Sequence, residues 1–374
     1  MRVLPVVTSV VVVLLGCRVA AQGALPSSAT SAPYAVSGWS LGDGDSLNRA
    51  AQCRAIDEID LDWFTSQKNG TVVQGYDDPA LVAAARAAGL LVMATVSNWS
   101  EGKNGFDPAV PRAILRGPRK MRRHAADLAA LCDSLGYDGI DLDWESLKAK
   151  ERDRFSDFVE ELAADLHAEG KGLAIAVHPK TSEPGDWSGA KAEDWLRLGA
   201  AVDEFKVMTY DYSGPWSPPG PIAPPDWIDA VLTFAQSEVP PEKIMMGLPF
   251  YGYDWSAGSA IGLDWADVQS LIAQYAPTVT RDPSGEETFT YTDAMGIVHT
   301  VFYQDGQSLE EKIQVLTGKH PDIRGIAIWV LEREDPSFWG LIDGLLRPGD
   351  SCPQTPAVRR APASVVPDHS RTLQ

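Results

Sequence analysis

The sequence is poor in cysteine, in positive charge and in long apolar runs. Only 4 of its 374 residues are cysteine, and 32 Lys and Arg stand against 51 Asp and Glu, which gives a formal net charge of −19. A chain with this charge and no basic stripe repels phosphate, so nucleic acid is excluded as an expected partner. No second apolar run of about 18 residues follows the first residues of the chain, so no transmembrane helix is predicted. Hydrophobic residues make up 44% of the chain, which excludes disorder throughout.

The first 21 residues are organised like an export signal. Arg2 supplies the positive start, and Val3–Leu15 is an apolar core too short to span a bilayer. Two processing routes are open: cleavage after Val19-Ala20-Ala21, or lipidation of Cys17, since Leu14-Leu15-Gly16-Cys17 resembles a bacterial lipobox. We therefore expect an exported protein that is secreted, periplasmic or anchored to a membrane by a lipid.

Three cysteines remain after such a cleavage. Cys132 lies in an apolar helical stretch and is predicted to be a buried free thiol. Cys53 and Cys352 are interpreted either as a disulfide pair or as two further free thiols.

The body of the chain, residues 33–348, alternates short apolar runs with amphipathic stretches. It follows a linker (22–32) and precedes a tail (349–374) that is rich in Pro, Ser, Ala and Arg and is predicted to be disordered. The apolar runs are Tyr34–Gly38, Glu58–Phe64, Leu90–Ser97, Gly139–Glu145, Gly172–His178, Glu204–Tyr210, Lys243–Phe250 and Gly325–Leu331.

Apolar runs of this length between helices are typical of parallel strands covered on both faces. Eight strand–helix units favour an α/β fold of the (β/α)8 TIM-barrel type. A doubly wound sheet is less favoured, because no Gly-x-Gly-x-x-Gly turn follows any of the strands. A small α+β insertion is predicted between strands seven and eight, at about 256–320. It comprises a helix (Trp265–Tyr275), a hairpin (Glu287–Tyr291 with Val298–Tyr303) and a second helix (Ser308–Thr317).

The fourth strand carries acids at alternate positions. Asp141, Asp143 and Glu145 share one face of the strand, while its apolar residues share the other. In a barrel the acids then point inward, and Glu145 lies at the carboxyl end, where barrel enzymes place their chemistry. Buried like charges push their pKa values apart, which lets one carboxyl keep a proton near neutral pH. A metal site is disfavoured because no His joins the acids, and a solvated charge run because the acids alternate with apolar residues.

The stretch Asp138-Gly139-Ile140-Asp141-Leu142-Asp143-Trp144-Glu145 resembles the Asp-Gly-x-Asp-x-Asp-x-Glu motif of glycoside hydrolase family 18, which includes chitinases and related endo-N-acetylglucosaminidases. Met208-Thr209-Tyr210-Asp211 is similar to the Met-x-Tyr-Asp of that family. Gly247-Leu248-Pro249-Phe250-Tyr251-Gly252 is similar to its Gly-x-Pro-x-Tyr-Gly. Trp329 ends strand eight, where the family has the floor of its sugar site. The resemblance covers about residues 33–348.

Departures from the family pattern bear on the substrate. Strand three of typical chitinases ends in Ser-x-Gly-Gly, whereas this chain has Ala94-Thr95-Val96-Ser97-Asn98-Trp99. Trp329-Val330-Leu331 and the following Glu334-Asp335-Pro336-Ser337-Phe338-Trp339 look most like the bacterial spore-cortex-lytic branch, which cuts peptidoglycan. Chitin and peptidoglycan both stay open as substrates, with N-acetylglucosamine at the cleavage point.

The resemblance implies a retaining, substrate-assisted glycosidase. Glu145 would protonate the glycosidic oxygen and then act as base toward water. Asp143 would hold the acetamido group and the oxazolinium ion, with Asp141 coupled to it, and Tyr210 would donate to the acetamido oxygen. Further substrate-binding candidates are Trp329, Asp211, Met208, Tyr251, Trp39 and Trp99, the last two extending a platform at the mouth. Asp138 and Gly139 are interpreted as structural, with Asp138 capping the turn before the strand.

The expected partner is a polysaccharide that contains N-acetylglucosamine, bound by a monomer without cofactor or metal. The alternative function is a carbohydrate-binding protein, because the family includes lectins that have lost catalysis. Those members usually lack the last acid of the motif, so Glu145 favours an enzyme. His178, which ends strand five, is interpreted as structural more than as a site residue.

Overall fold

The computed structural model of the protein describes residues 34–42 and 55–346. The predicted export signal, the linker, the tail and both cysteines of the suggested pair lie outside these residues. Within the described ranges, no helix combines the length and the apolar character needed to cross a membrane.

Parallel strands close into a barrel, because the first strand pairs with both the second and the last. The eight predicted apolar runs all coincide with these strands, so the predicted α/β barrel is confirmed. In chain order the strands are β1 (Ala35–Ser40), β2 (Glu58–Ser66), β3 (Leu91–Ser97), β4 (Gly139–Asp143), β5 (Gly172–Val177), β6 (Glu204–Val207), β7 (Ile244–Pro249) and β8 (Gly325–Trp329).

Helices cover the outer face of the barrel. The longest shows why: Pro118 fills the first position, the buried residues repeat every three to four positions, and Gly136 follows the end with φ of 71°. Cys132 is buried on this helix as a free thiol, as predicted. The helices are α1 (Pro79–Ala87), α2 (Ala109–Leu115), α3 (Pro118–Leu135), α4 (Arg152–Ala168), α5 (Ser188–Lys191), α6 (Trp195–Ala201), α7 (Pro225–Glu238), α8 (Trp265–Tyr275), α9 (Gly306–Lys319) and α10 (Phe338–Leu346).

A five-stranded antiparallel sheet and α8 form a lobe between β7 and β8. The lobe has its own small core, centred on Phe289 and Val301. Its first strand begins at Gly252, and α9 packs against α7 and α10 in the ring of barrel helices. The strands of the lobe are Gly252–Ser256, Ser259–Leu263, Thr280–Arg281, Glu287–Thr292 and Val298–Tyr303.

The start of β4 explains the first two residues of the acidic motif. A Cβ at Gly139 would lie 2.5 Å from the Gly172 carbonyl oxygen, so only glycine lets β4 and β5 approach this closely. The Asp138 carboxylate accepts a 2.8 Å hydrogen bond from the main-chain N–H of Val92 in β3. Asp138 therefore joins two strands rather than capping its own turn.

Candidate active site

The carboxyl ends of the barrel strands open into a cleft of about 630 Å³. Its walls combine aromatic rings with carboxylates, and the described residues that line it include no Lys or Arg. The tryptophans of the lining are Trp39, Trp99, Trp187, Trp216, Trp227 and Trp329. The carboxylates of the lining are Asp62, Asp143, Glu145, Asp186 and Asp211.

The two acids of β4 and Glu145, two residues beyond its end, form a row that descends from the cleft into the barrel. Glu145 and Asp143 line the cleft, and Asp141 below them is fully buried. Asp141 accepts hydrogen bonds from the Trp39 indole at 2.6 Å and the Thr95 hydroxyl at 3.0 Å, and it lies 3.7 Å from the Lys206 ammonium. Two donors and one buried cation therefore fix the Asp141 carboxylate in the barrel interior.

Asp143 is the acid of this row for which no hydrogen-bond partner is found among the described residues. Its Oδ1 atom is buried and makes no hydrogen bond with the described part of the chain. Burial raises the pKa of Asp143 well above its ordinary value, and the nearby Glu145, Asp62 and Asp141 carboxylates raise it further. The Asp143 carboxyl therefore takes up a proton more readily than an ordinary aspartate, and because it lines the cleft it is available to a ligand there.

Glu145 is fixed through its main chain and its side chain. The buried Asn98 amide accepts from the Glu145 N–H at 2.8 Å and donates to the Glu145 carbonyl at 3.0 Å. The Glu145 carboxylate faces His178 Nε2 at 3.2 Å, and His178 Nδ1 faces Glu193 at 2.6 Å. Burial alone would lower the pKa of His178, but Glu193 and Glu145 outweigh it and raise the pKa to about 10.

The three tryptophans of the predicted sugar platform lie at different depths in the cleft. Trp329 lines the cleft at the end of β8 and meets the edge of Trp39 with ring centroids 5.7 Å apart. Trp39 is only 2% exposed and lies deeper than the mouth where the sequence led us to expect it, because its indole is bonded to Asp141. Trp99 lines the cleft and packs edge-to-face on Phe106.

The residues that follow β6 and β7 form the opposite wall. Tyr210, Asp211, Met208 and Tyr251 all line the cleft, as Tyr253 does. Asp211 accepts hydrogen bonds from the Tyr251 hydroxyl at 2.5 Å and the Tyr253 hydroxyl at 2.9 Å. Burial raises the pKa of Asp211 to about 6, although both tyrosines oppose the rise. The structure therefore brings all the sequence-predicted residues of this wall to one surface.

Sequence reasoning missed Asn98 and Asp62 at this site and interpreted His178 as structural more than as a site residue. His178 and Asn98 hold Glu145, and Asp62 on β2 adds a carboxylate to the cleft. Burial raises the pKa of Asp62 to about 7, with Asp141 and Glu145 adding to the effect. One signal was available: Glu58-Ile59-Asp60-Leu61-Asp62 alternates acids with apolar residues, as β4 does.

A charged layer lies under the site. The Lys206 ammonium is completely buried on β6 and binds Asp60 at 2.7 Å and Glu58 at 3.0 Å, besides approaching Asp141. Burial raises the pKa of Glu58 and of Asp60 to about 7, even though Lys206 opposes the rise. Among the described residues, no group of three or more His, Cys, Asp or Glu is arranged to hold a metal ion.

Comparison with known proteins agrees with this geometry. The chain is 28% identical over 312 residues to an uncharacterized glycosylase, YvbX, of Bacillus subtilis, covering 82% of this chain and 89% of that protein. It is 27% identical over 289 residues to the cortical fragment-lytic enzyme of Bacillus subtilis, covering 75% of this chain and 65% of that relative.

The crystal structure of a chitinase from Chromobacterium violaceum superimposes with a TM-score of 0.76 at 27% identity, covering 83% of this chain and 98% of the chitinase. The family model described as glycosyl hydrolases family 18 matches residues 65–334, most of the barrel. The chain therefore belongs to glycosyl hydrolases family 18 and is a glycosidase.

Proposed function

We propose that the protein is a retaining, substrate-assisted glycosidase that cleaves β-1,4 bonds after N-acetylglucosamine in chitin-like or peptidoglycan glycans. One observation carries the proposal. Asp143, with a buried and unpartnered carboxyl oxygen, lies between Glu145 in the cleft and Asp141 in the barrel. A carboxyl that no described side chain occupies, beside an acid–base residue, is what a reaction through the substrate's own acetamido group requires.

In the first half of the reaction, Glu145 protonates the glycosidic oxygen as the bond to the anomeric carbon breaks. The acetamido carbonyl oxygen attacks that carbon from the opposite side and forms an oxazolinium ion. Asp143 accepts a hydrogen bond from the acetamido N–H and stabilises the positive ring, while Tyr210 donates to the acetamido oxygen as it approaches. Asp141, held by Trp39 and Thr95, is coupled to Asp143 from below.

In the second half, the ionised Glu145 takes a proton from water as the water oxygen attacks the anomeric carbon. The oxazolinium ring opens, the acetamido group is restored, and Glu145 is again protonated. Two inversions at one carbon retain its configuration. Trp329 provides an apolar face for the sugar ring during both halves.

The two candidate substrates differ in charge, and the charge of the cleft bears on the choice between them. The cleft carries five carboxylates among its described lining residues and no Lys or Arg, and the whole chain has a net charge of −19. Peptidoglycan stem peptides bring carboxylates of their own, whereas chito-oligosaccharides are uncharged. Like charges repel, so the cleft favours the uncharged glycan, although similarity to a cortical fragment-lytic enzyme supports the other substrate.

We also propose that the protein is exported, on the basis of residues 1–21. Mass spectrometry of the mature protein distinguishes the two routes, since lipidation at Cys17 and cleavage before Gln22 leave different first residues. An intact Met1 on the mature protein would contradict both routes.

The test is mass spectrometry of the products formed from chitohexaose and, in parallel, from denuded peptidoglycan, with Glu145→Gln as the matched inactive variant. Chito-oligosaccharides would identify a chitinase-type enzyme, and fragments with a reducing N-acetylglucosamine end would identify a wall glucosaminidase. Binding of either glycan without products would contradict the proposal and point to a lectin. Cleavage of plain glucosides at comparable rates would rule out substrate assistance.

A further inference from the structure

A buried Glu193–His178–Glu145 chain leads from the barrel wall to the cleft. His178 directly follows β5, the neighbour of β4 in the barrel, so its ring reaches Glu145 just beyond the end of β4. Nε2 lies 3.2 Å from the Glu145 carboxylate, and Nδ1 lies 2.6 Å from the Glu193 carboxylate. Glu193 is only 1% exposed.

The orientation of His178 is fixed from several sides. Both Glu193 carboxylate oxygens accept from the His178 main-chain N–H, at 3.1 and 3.2 Å, so the carboxylate cannot swing away from the ring. The ring meets Trp187 edge-to-face with centroids 4.5 Å apart. Lys180 and Arg152 donate to the Glu193 main-chain carbonyl at 2.6 and 2.8 Å, which anchors that residue from behind.

The hydrogen-bond chemistry places one shared proton between Nε2 and Glu145. An imidazole has two ring nitrogens, and a carboxylate can only accept. With Nδ1–H donated to Glu193, the Nε2···Glu145 contact holds either an imidazolium against a carboxylate or a neutral ring against a carboxylic acid. The other charged groups that face the ring are Asp143 and Asp211, both on the cleft side, and both favour the imidazolium.

We propose that His178 is the positioning residue that supplies Glu145 with its catalytic proton, and that Glu193 keeps His178 charged for this task. The shared proton moves from Nε2 to Glu145, and Glu145 passes it to the glycosidic oxygen as the bond to the anomeric carbon breaks. The ring is then neutral and Glu145 is a carboxylate. When water attacks the oxazolinium ion, its proton returns through Glu145 to Nε2, so nothing is consumed over the cycle. This inference rests on the proposed function of Glu145.

The first experiment compares the pH dependence of kcat/KM on chitohexaose for the wild type and Glu193→Gln. Glutamine keeps the shape of Glu193 and removes its charge, so it favours the neutral ring. We expect the alkaline limb to move to lower pH, by about one unit or more, because a close opposite charge shifts a pKa by that amount. If Asp143 alone set the limb, loss of the positive ring would raise the pKa of Asp143 and move the limb to higher pH. Movement in that direction, or none, would overturn the proposal.

The second experiment compares substrates whose leaving groups differ in their need for a proton. His178→Asn should lower kcat on chitohexaose by roughly 10²-fold, the lower range for acid–base assistance. It should change the rate on a 2,4-dinitrophenyl chitobioside far less, because that leaving group departs without a proton. Equal losses on both substrates would mean that His178 only holds the fold, and would overturn the proposal.

His167→Asn is the matched control, since His167 also bonds a carboxylate, Asp203, at 2.8 Å but lies on α4 away from the cleft. Its pH profile should equal that of the wild type. If the wild type cleaves neither substrate, the proposed function fails and this proposal fails with it. If the wild type cleaves both and Glu193→Gln keeps its alkaline limb, the function stands and only the role of His178 is wrong.

Discussion

At the scale of single residues, Asn98 determines where Glu145 can be. Its side-chain amide holds the Glu145 main chain through both the N–H and the carbonyl, and it also donates to the Asp107 carbonyl at 3.2 Å. No other side chain in the described ranges forms such a two-sided bond with the main chain of Glu145. Asn98 is fully buried, so its side-chain amide is not accessible to covalent modification in the folded protein.

Replacement of Asn98 by alanine should therefore harm both rate and stability. Two main-chain groups of Glu145 would lose their partners inside the protein, which costs about 1–3 kcal/mol of unfolding free energy. We expect kcat to fall at least about tenfold, because small errors in the placement of an acid are costly. Steady-state kinetics and urea unfolding measure the two effects.

Asn69→Ala is the matched control for this prediction. Asn69 is exposed and, among the described residues, is hydrogen-bonded to Thr71 within its own turn. Both kcat and the unfolding free energy should stay at the wild-type value. An Asn98→Ala enzyme with wild-type kcat would show that Glu145 does not depend on this clamp.

At the scale of elements, aspartates before alternate strands join each strand to its predecessor. Asp57 before β2, Asp138 before β4 and Asp203 before β6 each accept from a main-chain N–H in the preceding strand, at 2.8–2.9 Å. The first N–H groups of a parallel strand lack a ladder partner at this edge, so a carboxylate there satisfies a buried donor. The Asp of the acidic motif thus belongs to the barrel framework.

Asp138→Ala should show whether Asp138 stabilises the barrel or takes part in the reaction. The Val92 N–H would lose its partner, so the unfolding free energy should fall by about 1–3 kcal/mol. The rate per folded molecule should be unchanged, because Asp138 lies at the opposite end of β4 from Glu145. Glu145→Gln should behave in the reverse manner, with normal stability and lost turnover. A loss of kcat in folded Asp138→Ala would assign that residue to the reaction.

The charged layer around Lys206 joins β2, β4 and β6 through ion pairs below the site. The ammonium lies within 3.8 Å of four carboxylates, those of Glu58, Asp60, Asp141 and Glu204. Burial raises the pKa of Glu58 and Asp60 to about 7 and of Glu204 to about 8. These folded-state values exceed the unfolded ones, so the folded state binds more protons and the layer contributes less stability as the pH rises from about 4 to 8.

Lys206→Met should destabilise the barrel by about 3–5 kcal/mol at pH 8, because uncompensated carboxylates would remain buried. The loss should be smaller at pH 5, where those carboxyls keep their protons. Urea unfolding at the two pH values measures the difference. Lys319→Met, which removes an exposed ion pair with Asp229, should cost less than about 1 kcal/mol at either pH. An equal loss for Lys206→Met at both pH values would contradict the account of the layer.

At the scale of the whole molecule, the negative charge predicts how salt affects activity on each proposed glycan. The net charge of −19 and the acidic cleft act together on any anionic polymer, over distances that salt can screen. For peptidoglycan, kcat/KM should therefore rise between about 10 mM and about 200 mM NaCl, as the Debye length falls from about 30 Å to below 10 Å. For chitohexaose it should hardly change. Parallel initial rates over this range measure the effect, and a fall in kcat/KM for peptidoglycan would mean that the charges are not repulsive.

The sequence by itself determined the barrel and the acid ladder, which is the row formed by Asp141, Asp143 and Glu145. Apolar runs and helical periodicity predict β/α alternation from local information alone, and the period of two along a strand places Asp141, Asp143 and Glu145 on one face wherever the strand lies. Gly139 and the aromatic at the end of β8 were identified through the resemblance of short motifs to those of the family. Those predictions needed no knowledge of which strands are neighbours.

The tertiary structure alone decided which distant residues support the ladder. Asn98 reaches Glu145 across 47 positions and Lys206 approaches Asp141 across 65 because barrel closure sets β3, β4 and β6 around one axis. His178 meets Glu145 from β5, and Trp39 lies under Trp329 because β1 closes on β8. The sequence shows residue types in order, whereas pKa values and hydrogen bonds depend on distance, and distances between strands arise only when the barrel closes.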